Sequence, residues 1–310
     1  MKRHLPPIFD HAHRWWTISF FLGSVALLGF QVAHAQQREP SRTVPQEKPS
    51  PEKAKKLSEL PAAVRDELDR LASDDAGKRA TAIVSLGEMG QEAIPAIPML
   101  IGALGDLREV IGMKGRFKVD ELALQTLTNL GEPARKSLLD VLQEEDRDRD
   151  RDQVMWALGK MKETRAVEPL VRLLSNDKWR EWAVPTLGNI GDPRAVEPLL
   201  KLLSLVKKDK YDFSNDYVAE ALGKLKDSRA VEPLIAVLIV DSKADIYENE
   251  VMDALGHLKD PRAVEPLIAV LKKYEGYKNA KEALKKITGQ DLKTSDDWAR
   301  WWEQNKKTKQ

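Results

Sequence analysis

The chain has 310 residues, a formal net charge of +1, 42% hydrophobic and 32% charged residues, and no cysteine. The lack of cysteine excludes disulfides, thiolate nucleophiles, cysteine-ligated zinc and CxxCH haem attachment. A low aromatic share of 6% beside so much charge suits an extended array with a large surface, and near-neutrality gives no electrostatic ground for nucleic-acid binding.

Residues 1–35 carry Lys2, Arg3 and Arg14 against Asp10, then an apolar run from Trp15 to Val32 and the small-residue pattern Ala33-His34-Ala35. This layout predicts a secretory signal cleaved before Gln36, so the protein is expected to be exported, periplasmic or secreted. The run is nearly long enough to span a bilayer, which makes an uncleaved N-terminal anchor the alternative. No other segment is expected to cross a membrane. From Gln36 to Lys56 the text "QQREPSRTVPQEKPSPEKAKK" has scattered prolines and charges without apolar periodicity, and predicts a disordered linker. The folded domain is expected over residues 57–310.

Two irregular helical units come first, "SLGEMGQEAIPAIPMLIGAL" from Ser85 to Leu104 and "TLTNLGEPARKSLLDVL" from Thr126 to Leu142. Four regular ones follow: "ALGKMKETRAVEPL", "TLGNIGDPRAVEPL", "ALGKLKDSRAVEPL" and "ALGHLKDPRAVEPL". Their arginines, Arg165, Arg194, Arg229 and Arg262, are 29, 35 and 33 residues apart, and each follows a glycine by six residues. A fixed unit with elastic connectors is the mark of a repeat array, whose terminal repeats are atypical.

Before each glycine, apolar residues fall at helical spacing, as in Val154, Ala157, Leu158 and Met161 or Val251, Ala254, Leu255 and Leu258. After each proline a second stripe appears, as in Leu170, Leu173 and Leu174. Both stripes define one buried face of a helix, so each unit reads helix, turn, helix. The prolines of the hexapeptide, Pro169, Pro198, Pro233 and Pro266, are expected in the first turn of the second helix, where a missing N–H has no internal partner. The residue before each proline is expected outside the helical region.

The C-terminal "NAKEALKKITGQDLKTSDDWARWWEQN" supplies another helix and then a final one started by Ser295 or Asp296. In the latter Trp298, Trp301 and Trp302 share one side and are expected to close the end of the core.

The pattern "ALGxLxDxRAVEPLIxxL" resembles the HEAT-like repeats named after phycobilisome lyases, over roughly Leu57 to Asn305. The resemblance implies an all-α, right-handed α-solenoid of helix-turn-helix repeats with a Trp-rich C-terminal cap and second helices lining the concave side. It also implies a structural ladder of Asp and Arg between neighbouring units, mapped to Asp192, Asp227 and Asp260 with Arg165, Arg194, Arg229 and Arg262; Glu163 replaces the first Asp.

Chemistry is scarcely visible. Iron-binding hydroxylases related to this family use repeated His-Glu pairs, whereas the array has a single histidine, His257, followed by Leu258, which reads as a solvated surface residue. In "EEDRDRDRDQ" alternate aspartates resemble a calcium loop, but the glycine and closing glutamate of that loop are missing and arginines neutralise the carboxylates. No nucleophile elbow, Walker loop, GxGxxG or HExxH is present. No cofactor and no metal are expected.

Binding has better candidates. The connectors Gly105–Lys118 and Leu205–Asn215 both follow a second helix and are expected to project from one edge. The second holds Lys207, Lys208 and Lys210 beside Tyr211 and Phe213, a basic and aromatic composition suited to a partner contact. Arg172 and Lys201, four residues after Glu168 and Glu197, lie on the second helices, and Trp179 starts a first helix where it can face a partner; Trp156 and Trp182 read as core. The expected function is therefore a non-catalytic scaffold or adaptor that binds a protein partner in a bacterial envelope, and not an enzyme. The alternative is an enzyme or enzyme accessory of the lyase or hydroxylase type.

Overall fold

The structure is a computed structural model and describes residues 59–112, 115–144, 150–204, 214–240, 248–274 and 277–306. Helix α1 (Ala62–Leu71) precedes six helix pairs. These are α2 (Ala76–Met89) with α3 (Ile97–Ala103), α4 (Val119–Leu130) with α5 (Glu132–Gln143), and α6 (Arg151–Lys160) with α7 (Val167–Leu173). Then come α8 (Asp177–Ile190) with α9 (Val196–Ser204), α10 (Ser214–Leu225) with α11 (Val231–Val240), and α12 (Glu248–Leu258) with α13 (Val264–Lys273). Helices α14 (Lys278–Thr288) and α15 (Ser295–Asn305) close the array. The architecture is an all-α solenoid in which each pair packs mainly on its neighbours, as stacking repeats must when none can bury its own apolar stripe alone.

Each regular unit turns in the same way. A residue of positive φ ends the first helix: Lys162 (φ 50°), Gly191 (78°), Lys226 (54°) and Lys259 (55°). Next comes an acid, Glu163, Asp192, Asp227 or Asp260, whose carboxylate accepts the backbone N–H two residues on and caps a single 3-10 turn. The second helix then starts at a fully buried valine, Val167, Val196, Val231 or Val264. The prolines stand third in that helix, inside the first turn as expected. Glu168 and its counterparts, expected outside the helical region, are the second residues of those helices. The helical start already imposed by the 3-10 turn outweighs the bias that proline places on its predecessor.

Successive first helices touch along a seam of small residues. A β-carbon on Gly188 would stand 2.7 Å from the Ala221 α-carbon, one on Gly223 2.8 Å from that of Ala254, and one on Gly256 2.9 Å from that of Ala283. Helices α8, α10, α12 and α14 are thereby more intimately packed than the second helices α9, α11 and α13. A stack bends toward its more closely spaced layer, so the first helices line the inner side of this stretch. That corrects the expectation that the second helices do so, and the cause is the glycine, which lets two backbones approach as a side chain would not.

The connector expected to project between α3 and α4 is an antiparallel hairpin, β1 (Glu109–Gly112) with β2 (Gly115–Lys118), pairing Val110 with Phe117. A buried Arg79 holds it to α2 by donating from Nε to the Asp106 carboxylate at 2.8 Å, and Arg108 donates to the same group. At the far end α15 starts at Ser295, one of the two expected starts, and Thr294 caps it in a reciprocal capping box with Asp297. Trp298 and Trp302 are buried there and Trp301 packs half-buried beside them. No helix among the described residues is long and apolar enough to cross a membrane.

Candidate functional site

Two surfaces repeat along the array, and they differ in how their charges are used. On the turn edge each arginine of the hexapeptide is clasped by the acid two residues before it. Arg194 Nε and Nη2 donate to Asp192 at 3.0 and 2.8 Å, and Arg229 and Arg262 repeat the grip on Asp227 and Asp260. Hydrogen bonds from these arginines hold all three aspartates below the usual carboxylate range. The remaining guanidinium donors cross to the preceding unit. Arg165 reaches Glu132 at 2.5 Å, Arg229 reaches Glu197 at 2.9 Å, Arg262 reaches Glu232 at 3.2 Å, and Arg194 lies 3.9 Å from Glu168.

The ladder implied by the resemblance thus has different rungs. Aspartate and arginine pair within one unit, and the link between units runs through the glutamate of RAVEPL, or through Glu132 in the case of Arg165. The forced 3-10 turn brings residues i and i+2 into a bidentate grip, which leaves the arginine's outer nitrogens to span the gap. Glu168 and Glu197 are drawn to this ladder, and no ion pair with Arg172 or Lys201 forms among the described residues.

Of the residues expected to meet a partner, Arg172 and Lys201 are exposed on α7 and α9. Trp179 is not available: it is 5% exposed, with the Arg151 guanidinium 5.2 Å and the Lys178 ammonium 4.7 Å from its ring centre. It lies in the first turn of α8 and turns inward against the preceding unit, which its place in the sequence could not show. Lys207, Lys208, Lys210, Tyr211 and Phe213 lie outside the described residues, as do Asp146 and Asp148 of the aspartate run before α6. His257 is exposed as a residue, but its ring is partly desolvated and Lys286 Nζ lies 3.3 Å from its Nε2; that desolvation and the lysine hold its pKa below the ordinary value. An ammonium at this distance opposes a metal cation, so the residues around His257 do not fit an iron site.

The inner face of the first helices carries a second constellation that the sequence reading did not single out. In register terms, Trp182 and Tyr217 stand six residues before Gly188 and Gly223, and Trp156 stands three before Gly159. All three are half-buried. The same register gives Glu250 on α12, and the position before Tyr217 is Asp216 at the start of α10. Asp216 Oδ1 and Glu250 Oε2 are both buried without a hydrogen-bond partner. Burial, and then the Glu250 carboxylate, push Asp216 up to about 6. Beside them Glu220 is bridged by Lys224 at 2.7 Å, and Asp253 accepts from Asn279 at 3.1 Å. The missed signal was the register of charged residues relative to the repeat glycine, which places Asp216 and Glu250 on adjacent helices although 34 positions separate them.

A stack of helix pairs joined by an Asp-x-Arg clasp and a glycine seam is an α-solenoid of the HEAT class. The family of HEAT repeats matches residues 136–213, and the PBS lyase HEAT-like repeat matches residues 216–239 and 249–273. The chain belongs with HEAT repeat proteins of the PBS-lyase HEAT-like type. No curated protein matches it in sequence. Among solved structures it is similar to human deoxyhypusine hydroxylase in complex with glycerol, at 21% identity over 80% of this chain and 94% of that one, with a TM-score of 0.35. The complex of CpcE and CpcF of phycocyanin lyase from Nostoc sp. PCC7120 is 20% identical over 87% of this chain and 98% of that one, with a TM-score of 0.37. An engineered protein is 20% identical over 76% and 74%, with a TM-score of 0.39.

The expectation of a non-catalytic scaffold that is not an enzyme is corrected by the match to the lyase-type repeat, which favours the enzyme-related alternative. HEAT repeats mediate protein interactions generally, so a protein partner stands.

Proposed function

We propose that this chain is an enzyme, or the accessory subunit of one, of the lyase- or hydroxylase-related HEAT-like kind, acting on a protein partner. The observation that supports this most directly is the position of Asp216 and Glu250. They are, respectively, the first and the second residue of the two segments that match the PBS lyase HEAT-like repeat and sit on the inner face, one of them a carboxyl near pKa 6. A carboxyl poised near neutrality beside a second carboxylate suits proton exchange with a bound group. The chemistry is tested by an absorption spectrum and metal analysis of the purified chain, and by turnover with Asp216→Asn as control. A stoichiometric chromophore or metal, or a turnover lost in that variant, supports the reading. A colourless, metal-free chain that neither turns over a substrate nor alters a partner enzyme's rate overturns it.

The same proposal places the protein outside the cytoplasm, on the export pattern of residues 1–35 and the linker that follows. N-terminal sequencing of the mature chain checks it: Gln36 at the start supports cleavage, and Met1 still in place means an anchor.

A further inference from the structure

The inner face is unevenly charged. Asp216, Glu220, Glu250 and Asp253 stand together on α10 and α12, and Lys224 is the lysine of those two helices paired with any of them among the described residues. Asp253 has Lys286 of α14 at 3.9 Å as its nearest cation. Among the described residues no cation pairs with Asp216 or Glu250, whose inner oxygens are buried there without a donor. Burying a carboxylate so is costly unless a positive group completes it. The turn edge shows the contrast: Glu163, Asp192, Asp227 and Asp260 are each matched by an arginine.

Next to this acidic stretch the face becomes aromatic. The Asn279 to Asp253 hydrogen bond shows that the residue six before the repeat-glycine position, held by Lys285 in α14, meets the residue three before Gly256 in the preceding unit. By that register Trp182 adjoins Trp156, and Tyr217 adjoins Pro185. Trp156 and Trp182 are half-buried, and no hydrogen bond from either indole is made among the described residues. Pro185, inside α8, has no N–H with which to close the helical bond to the Glu181 carbonyl. The face therefore offers aromatic rings, a spare carbonyl and uncompensated carboxylates, which together suit a cation carried on an apolar stem.

We infer that the inner face of α6, α8, α10 and α12 is a docking groove for a basic segment of the partner protein. A lysine or arginine lies along Trp182 and Tyr217 and directs its charge to Asp216 and Glu250. The inference names the partner's chemistry at the site proposed above and rests on that reading for the identity of the working face alone.

The test uses the full chain and two labelled synthetic peptides of alanine with four lysines or four glutamates, followed by fluorescence anisotropy at low salt. The lysine peptide is expected to bind and the glutamate peptide not. Asp216→Asn with Glu250→Gln should weaken the lysine peptide at least tenfold, and Trp182→Ala should weaken it with the charges intact. Thermal unfolding and circular dichroism of each variant identify a loss of fold, and Asp216→Glu, which keeps the charge, should retain binding. Equal binding of both peptides, or unchanged binding in the double variant, overturns the groove. Tighter peptide binding when Lys207, Lys208 and Lys210 become alanine shows that this chain's own connector fills it and also overturns a partner as the occupant. A sedimentation shift to a dimer that the peptide abolishes assigns the face to a second copy, with the same consequence. A chain that binds the peptide yet has no chromophore, metal or turnover sinks the enzymatic reading and leaves the groove standing.

Discussion

Two junctions along this array are built from different parts. Between α8 and α10 a glycine lies under an alanine, and the backbones approach until a single added methyl group would strike the neighbouring α-carbon. Between α4 and α6 the first helices barely touch. There Thr128 occupies the position of the repeat glycine, and it is exposed whereas Gly159, Gly188, Gly223 and Gly256 are buried. The junction rests instead on the packing of α5 against α6 and on a polar bridge: Arg135 of α5 donates to Glu163 at 3.1 Å and to the Met161 carbonyl at 3.4 Å. This explains why a glutamate stands where the other units have aspartate. Its longer side chain serves Arg165 and reaches Arg135 as well. One residue swap, glycine to threonine, thus changes the means by which two repeats hold together.

The largest expected effect attacks the tight junction. Gly188→Ala should cost about 3 kcal/mol, because overpacking against backbone exceeds the gain in helix propensity, whereas Thr128→Ala at the loose junction should stay within ~0.5 kcal/mol. Urea denaturation of the two variants decides it; equal effects would mean that the seam does not hold the array.

The loose junction breaks at its acid. Glu163→Ala should cost about 2 kcal/mol, and Glu163→Asp should fail to restore all of it, since the shorter side chain cannot keep both arginines. The effect depends on pH. Hydrogen bonds from Arg165 hold the Glu163 carboxyl down at about 2, against its ordinary value of 4.5. A lowered folded pKa gives stability that is complete above about 4.5 and is lost as pH falls toward 2. The gap between wild type and Glu163→Gln should therefore close between those limits.

At the inner face the sign reverses. Asp216 is raised to about 6 from 3.8, so the folded state gains stability as pH falls through that window. Asp216→Asn should stabilise the protein at pH 7 by ~1 kcal/mol and leave it unchanged near pH 4, a gain readable by thermal unfolding at the two values. Destabilisation at pH 7 would mean that a cation already compensates the carboxylate.

The smallest effect sharpens the account of the turn. Lys226 has φ 54°, a conformation open to glycine without strain, and Gly191 already fills the same place in another unit. Lys226→Gly should be neutral to stabilising by about 0.5 kcal/mol, the relief of strain being partly offset by the freer unfolded chain.

Much of the fold was legible because its rules are local. The 3.6-residue stripes marked both helices of every regular unit, and the recurring proline marked the first turn of the second. The clasp was harder to read. That Asp and Arg matter was visible in Asp192, Asp227 and Asp260, but the partner of each could not be read from spacing alone, since i to i+2 pairing depends on the 3-10 turn. The hairpin at Glu109–Lys118 was read as a connector because four-residue strands with a glycine at each inner end carry too short an alternation to register. Trp179 was read as available because a helix start is often exposed, and it is buried by the preceding unit, through Arg151.

Period and unit count follow from sequence by itself, since apolar spacing and turn residues act over a few positions of the same chain. Only the tertiary structure decided which layer faces inward, which glutamate each arginine reaches and that Asp216 meets Glu250. Those depend on how closely neighbouring repeats approach, and that distance is set by pairs such as Gly188 and Ala221, which lie in different units and acquire their meaning in contact.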